Sequence, residues 1–137
     1  MTIDVLDYRP NDDEPFMNSR QLAYFRDKLQ AWKDDIAEEL AETLDTLQQH
    51  NLNSPDIADR AASETDRSVE LRARDRQRKL IAKIDAALAR IADRTYGYCE
   101  VTGDPISLGR LDARPIATMS VEAQERHERR EKVYRDD

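Results

Sequence analysis

Ser54-Pro55-Asp56-Ile57-Ala58-Asp59-Arg60-Ala61 is a short acidic corner between two long helical patterns. Ser54 is a good N-cap. Pro55 suits the first helical position, where its missing N–H costs nothing and its φ is already helical. A helix therefore starts here, and His50-Asn51-Leu52-Asn53 end the one before it. Helical patterning extends about thirty residues to each side, roughly 50 Å per arm at about 1.5 Å per residue. Two such arms joined by a tight corner predict a mainly α fold built on a long antiparallel helical hairpin. The hairpin is a coiled coil over residues 18–93, with its tip near 51–61 and two carboxylates, Asp56 and Asp59, at that tip.

Working outward, the first helix is expected from Asn18 or Ser19, because Asn18 and Gln21 have capping-box spacing. Leu22, Phe25, Leu29, Trp32, Ile36, Leu40, Leu44 and Leu47 recur at steps of three and four, the pattern of one buried stripe. Two successive steps of four after Ile36 resemble a stutter, which locally unwinds a coiled coil. The second helix is expected to run to about Asp93, with Ala58, Ala61, Ala62, Thr65, Val69, Ala73, Leu80, Ile84, Ala87 and Ile91 as its stripe. Small residues lie toward the corner and larger ones toward the base, so the arms should approach closely near the tip.

Three further segments complete the chain. Residues 1–17 read as an acidic extended tail, since Pro10, Pro15 and Asn11-Asp12-Asp13-Glu14 disfavour regular structure. Residues 94–120 hold two of the three glycines within 96–105 alone, and the apolar residues Ile106, Leu108, Leu111, Ile116 and Met119. They predict a small globular knob of turns with a short hairpin. A C-terminal helix is expected over 121–137, starting after Ser120 and running through alternating charges to Tyr134.

Composition narrows the function. Charged residues make up 37% of the chain, aromatics 6%, and the net charge is -7. So acidic a chain is a poor match for bare nucleic acid, and no direct sequence-specific DNA binding is expected. The charge is uneven: residues 1–15 carry five acids and one base, residues 67–79 six bases and two acids. A single cysteine, Cys99, rules out an intrachain disulfide and fits a reducing compartment. The absence of a long apolar run predicts a cytoplasmic protein with no membrane partner. No nucleophile–base set, phosphate loop or metal triad is visible, so the chain is not expected to be an enzyme.

Several motifs, in order along residues 18–130, resemble the DksA family: Asp59-Arg60-Ala61-Ala62, Glu70-Leu71-Arg72-Ala73-Arg74-Asp75-Arg76, Arg78-Lys79-Leu80-Ile81, Tyr96-Gly97-Tyr98-Cys99-Glu100 and Arg110-Leu111-Asp112-Ala113-Arg114-Pro115. The resemblance implies a bacterial transcription regulator that binds RNA polymerase rather than promoter DNA. Its coiled coil would enter the secondary channel, with the tip near the catalytic centre. It would modulate initiation, for example at ribosomal-RNA and amino-acid promoters, together with ppGpp. Matched positions make Asp56, Asp59 and Ala61 the tip residues, Arg76 a contact to the polymerase rim, and Leu80, Lys83, Arg114 and Gln124 the ppGpp contacts. Gln124 stands where a lysine is usual, which removes one positive charge and would weaken the response to ppGpp.

Family members typically hold zinc with two Cys-x-x-Cys pairs. The matching positions here are Cys99, Thr102, Ser120 and Ala123, of which only the cysteine is a good zinc ligand. His50 belongs at the opposite end of the hairpin, and neither it nor His127 completes a set. The chain resembles a zinc-less variant of the family, with no metal and a knob held by packing of Val101, Ile106, Leu111 and Met119. Cys99 would then serve as a small hydrophobe.

Other readings stand beside these. Acids in a first helical turn complement the helix dipole, so Asp56 and Asp59 also suit plain capping. The bases at Arg67, Arg72, Arg74, Arg76, Arg78 and Lys79 also suit a solvated face opposite Asp34, Asp35, Glu38 and Glu39. Arg114, before Pro115, also suits a brace between knob and hairpin. A Gre-like transcript-cleavage or elongation factor shares the hairpin shape, with tip acids that could hold magnesium. A structural coiled-coil adaptor or homodimer shares the stripe. The corner lets one chain satisfy its own stripe, so a monomer is expected.

Overall fold

The computed structural model describes residues 8–52 and 57–136, and the side chains of all of these except 47, 50–52, 57–63 and 134–136. Four helices follow one another: α1 (Ser19–Leu52), α2 (Ile57–Asp93), α3 (Leu108–Ala113) and α4 (Val121–Asp136). Tyr98 and Pro105 form an isolated antiparallel bridge. The chain packs as two units, one of residues 1–29 with 86–137 and one of residues 30–85, and α1 and α2 each run through both.

In the second unit, Lys33 on α1 reaches Asp85 on α2 at 2.7 Å, and Glu39, further along α1, accepts from Gln77, further back on α2, at 3.0 Å. The two helices are therefore antiparallel, as the hairpin requires. Ile36 and Ile84 are its buried apolar residues. Fully burying a side chain of that size contributes about 1.5–3 kcal/mol.

Beyond them the buried seam departs from the apolar stripe. Leu44 is 38% exposed and Val69 54% exposed, and Thr65 also faces solvent. The partly buried positions on α2 keep Ala73 and Leu80 from that stripe but add Glu70, Arg74, Gln77 and Ile81, which lead to Ile84 at steps of four and three. Glu70 Oε2, Arg74 Nε and Gln77 Oε1 are buried there without hydrogen-bond partners. A 3.5-residue repeat selects whichever side chains face the partner helix, whether apolar or not.

The first unit holds the larger core: Leu22, Phe25 and Leu29 from α1, Ala87 and Ile91 from α2, and Tyr96, Cys99, Ile106, Leu108, Leu111, Ala117 and Ala123 beyond them. Phe25 and Tyr96 stack at 5.5 Å between ring centroids. Ile106 and Leu111 are buried as expected, and Met119 is half-buried. Val101 corrects the expectation: it is 62% exposed and takes no part in the core. It sits in the loop tied off by Cys99 N–H to Asp104 O and Gly103 N–H to Cys99 O, both 2.8 Å.

Helix ends follow local chemistry. Asn18 Oδ1 accepts from Gln21 N–H at 2.9 Å, an N-cap bond. Gln21 completes the exchange one residue earlier than a capping box would: its Oε1 accepts from Met17 N–H at 2.8 Å. Met17 takes φ 53 to permit this. Gln21 is fully buried, and its amide also donates to Asn11 O at 3.1 Å. Residues 8–17 are thus not an extended tail. They turn back on the start of α1, with Phe16 edge-on to Tyr98 and Arg20 over the Tyr8 ring. α2 ends in a Schellman motif: Thr95 N–H bonds Arg90 O, Arg94 N–H bonds Ile91 O, and Arg94 takes the left-handed φ of 63. Ser107 and Ser120 cap α3 and α4, accepting from Arg110 N–H at 3.3 Å and Ala123 N–H at 3.2 Å.

Candidate functional site

The expected site residues fall in four places. At the corner, Asp56 lies outside the described residues. Asp59 and Ala61 lie on the opening turns of α2, and their side chains are outside the described ones.

Along α2, the six bases do not act as one band. Arg74 turns into the seam, where its Nε is buried. Arg72, Arg76 and Lys79 stay exposed and, with Val69 and Asp75, line an open concavity of about 460 Å³. Three cations against one carboxylate leave this face positive, and Val69 adds an apolar edge. Such a surface is suited to an acidic, partly apolar partner face. Arg76, matched to the rim contact, is one of its lining residues.

The four residues matched to ppGpp divide between the units. Leu80 is half-buried and Lys83 exposed, both on α2 in the second unit. Arg114 and Gln124 belong to the first unit. Arg114 is the exposed C-cap of α3, its N–H bonded to Arg110 O at 2.7 Å. Gln124 is half-buried on α4, where its amide donates to Glu128 at 3.2 Å.

The four positions matched to a zinc site are drawn together in the knob, but their donors do not fit the metal. Ala123 is a buried methyl group. Ser120 Oγ is engaged as the cap of α4, and Thr102 Oγ1 accepts from Asp104 N–H at 3.2 Å. Zinc requires four strong N, S or carboxylate donors, and one thiol is not such a set. Among the described residues, no group of three or more His, Cys, Asp or Glu side chains could hold a metal ion. Cys99 is buried, as a small hydrophobe would be, yet it is also polarised. Burial raises its pKa. Hydrogen bonds from the Thr102 hydroxyl and the Ser120, Thr102 and Val101 amides outweigh that and bring it from 9.0 to about 6.

Asp112 is the residue for which sequence reasoning had no role. Its Oδ1 accepts from Tyr24 OH at 2.5 Å and Lys28 Nζ at 2.7 Å, partners 88 and 84 residues away. Lys28 Nζ also donates to the Asp112 carbonyl at 2.6 Å, and Arg9 lies 3.7 Å from the second carboxylate oxygen. The bonds from Lys28 and Tyr24 hold the Asp112 carboxyl below its ordinary pKa of 3.8. Burial and the bond to Asp112 raise Tyr24. The only signal available was the Arg110–Pro115 motif itself, which says nothing about a partner on α1.

Comparison with known proteins agrees with this architecture. The family model for the N-terminal domain of the DnaK suppressor protein DksA matches residues 21–91, and that for the prokaryotic dksA/traR C4-type zinc finger matches residues 94–129. The second match stands despite the missing ligands, so it follows the fold of the knob rather than its donors. The chain is 66% identical over 135 residues to the RNA polymerase-binding transcription factor DksA of Caulobacter vibrioides (strain NA1000 / CB15N), covering 98% of this chain and 95% of the relative. It is 43% identical over 125 residues to the protein of that name from Escherichia coli (strain K12), covering 91% and 83%. Among solved structures, transcription factor DksA2 from Pseudomonas aeruginosa superposes with a TM-score of 0.83 at 37% identity, covering 93% of this chain and 95% of that one. With a matching hairpin, matching knob and near full-length identity, the chain belongs to the DksA family of transcription factors.

Proposed function

We propose that this protein is a non-enzymatic regulator of transcription that binds RNA polymerase and delivers the acidic tip of its hairpin through the secondary channel to the neighbourhood of the active centre. The reading is carried by identity of 66% along 98% of the chain with a relative named for polymerase binding. The antiparallel pairing of α1 and α2 supports it, since a stiff two-helix rod is what such a channel admits. Asp56 and Asp59 supply carboxylates that accept hydrogen bonds from basic groups near the active centre, and these bonds are strong where water is excluded. Ala61 is the third tip residue of this reading, where a small side chain suits entry into a channel. Arg76, in the positive face of α2, docks on the polymerase rim.

The regulator acts with ppGpp through Leu80, Lys83, Arg114 and Gln124. Lys83 and Arg114 pair with phosphate, while Gln124 contributes hydrogen bonds without charge. It acts as a cytoplasmic monomer, without zinc and without sequence-specific DNA contacts.

The deciding experiment is purified transcription from a ribosomal-RNA-type promoter, titrated with the protein and with Asp59→Asn. The variant is expected to bind polymerase with affinity unchanged within about twofold, the range of a rim-neutral change, and to lose its effect on transcription. Normal regulation by Asp59→Asn would defeat the tip reading. RNA cleavage in backtracked complexes would replace it with a cleavage factor.

A further inference from the structure

Arg114 is anchored on both flanks by side chains distant in sequence. On one flank, Asp112 is bolted to α1 by Tyr24 OH at 2.5 Å and by Lys28 Nζ, which reaches both its carboxylate and its carbonyl. On the other, the buried Tyr96 hydroxyl donates to the Pro115 carbonyl at 2.7 Å. Between these anchors the Arg114 N–H is held by Arg110 O, and the following proline restricts the Arg114 backbone. α3 has six residues, too few to be stable by itself, so its place is set by what grips it. Buried Leu108 and Leu111 seat one face. Asp112 and Pro115 fix the end from which Arg114 projects. All of these groups belong to one packed unit.

We propose that Asp112, seconded by Tyr96, is a positioning residue: it locks the backbone under Arg114 so that the exposed guanidinium is presented in one place to a phosphate-bearing ligand. The inference rests on the reading of Arg114 as a ppGpp contact. A guanidinium on a fixed backbone has less freedom to lose when it pairs with phosphate, so less of the pairing is offset by ordering. Neither Asp112 nor Tyr96 needs to touch the ligand. Asp112 is acidic and already engaged by Lys28 and Tyr24, and Tyr96 is buried.

The test uses the full-length protein with RNA polymerase and reads the protein concentration for half-maximal transcriptional effect, with and without ppGpp. Asp112→Asn keeps the shape and removes the charge. Tyr96→Phe removes only the hydroxyl. Asp112→Asn weakens the first anchor by removing its charge, although Lys28 still reaches the carbonyl, and Tyr96→Phe breaks the second; the two act independently, so misfolding of one, seen by thermal melting, leaves the other as the test. Both are expected to keep the ppGpp-free value and to shrink the ppGpp-induced shift about two- to tenfold, the scale of ordering one long side chain. Arg114→Ala abolishes the shift, and Asp112→Asn/Arg114→Ala loses nothing further. A full shift in both anchor variants while Arg114→Ala loses it would overturn the positioning role and leave the site reading intact. Equal weakening with and without ppGpp would make the anchors merely structural and also overturn it. A full shift in Arg114→Ala would remove the site reading, and this inference with it.

Discussion

At the scale of single residues, two groups have acquired titration behaviour from partners that composition does not reveal. Cys99 shows how a degenerate ligand keeps its surroundings: hydroxyl and amide donors converge on the sulfur and favour the thiolate. Thiolate absorbance is expected to titrate with a midpoint of about 6, and Thr102→Val, which removes the hydroxyl donor, should raise it. Because the folded value lies below the ordinary 9.0, this group stabilises the fold above that value, and the contribution is lost as pH falls through about 6. A midpoint near the ordinary thiol value would contradict the donor geometry. Asp112 follows the same sign on the acid side. Its stabilisation is present above 3.8 and is lost as pH falls through its lower folded value. Unfolding measured from neutral to strongly acid pH should therefore show wild type and Asp112→Asn converging only below about pH 4. Curves that stay parallel throughout would show that the Lys28 bond does not favour the carboxylate.

At the scale of elements, the hairpin combines an apolar base with a polar seam. Ile36 and Ile84 are buried, while Glu70, Arg74 and Gln77 take the seam positions that follow. Buried polar atoms without partners cost about 1–3 kcal/mol each, whereas an apolar group of similar shape avoids that cost. Gln77→Leu is expected to raise stability by about 0.5–1 kcal/mol despite losing the exposed bond to Glu39. Ile84→Ala should lower it by about 2–5 kcal/mol. Denaturant unfolding of the two variants checks both, and a destabilised Gln77→Leu would mean that the Glu39 bond outweighs the orphaned oxygen. Apolar periodicity identified Ile36, Ile84, Ala87 and Ile91 correctly because core and pattern coincide there. It chose Leu44 and Val69 wrongly because the phase of a paired helix is set by its partner, and that phase turns polar residues inward. The caps at Asn18 and Ser120 were legible because a cap is settled within three or four residues. The Gln21-centred turn of residues 8–17 was not, since a glutamine amide bonding across ten positions leaves no periodic trace.

At the scale of the whole molecule, a chain of net charge -7 presents a local positive face at Arg72, Arg76 and Lys79. Net charge therefore says little about where this protein meets an acidic partner. The knob folds around Tyr96, Cys99, Ile106 and Leu111, with one thiol where its relatives' zinc-finger model has four ligands. Its melting temperature is accordingly expected to be the same, within error, with a strong chelator and with added zinc. A fall on chelation would show that metal contributes to folding, because structural zinc and fold are linked.

The hairpin arms and the failure of the zinc ligand set follow from the sequence alone. Each is a matter of neighbours three or four positions apart, or of a donor atom that is present or missing. The pairing of Asp112 with Tyr24 and Lys28, the inward turn of Arg74 and Gln77 and the exposure of Val69 and Val101 were decided only by tertiary structure. These depend on which distant surfaces meet and at what rotation. Such choices are made when the surfaces bury each other, and no single segment holds enough information to make them.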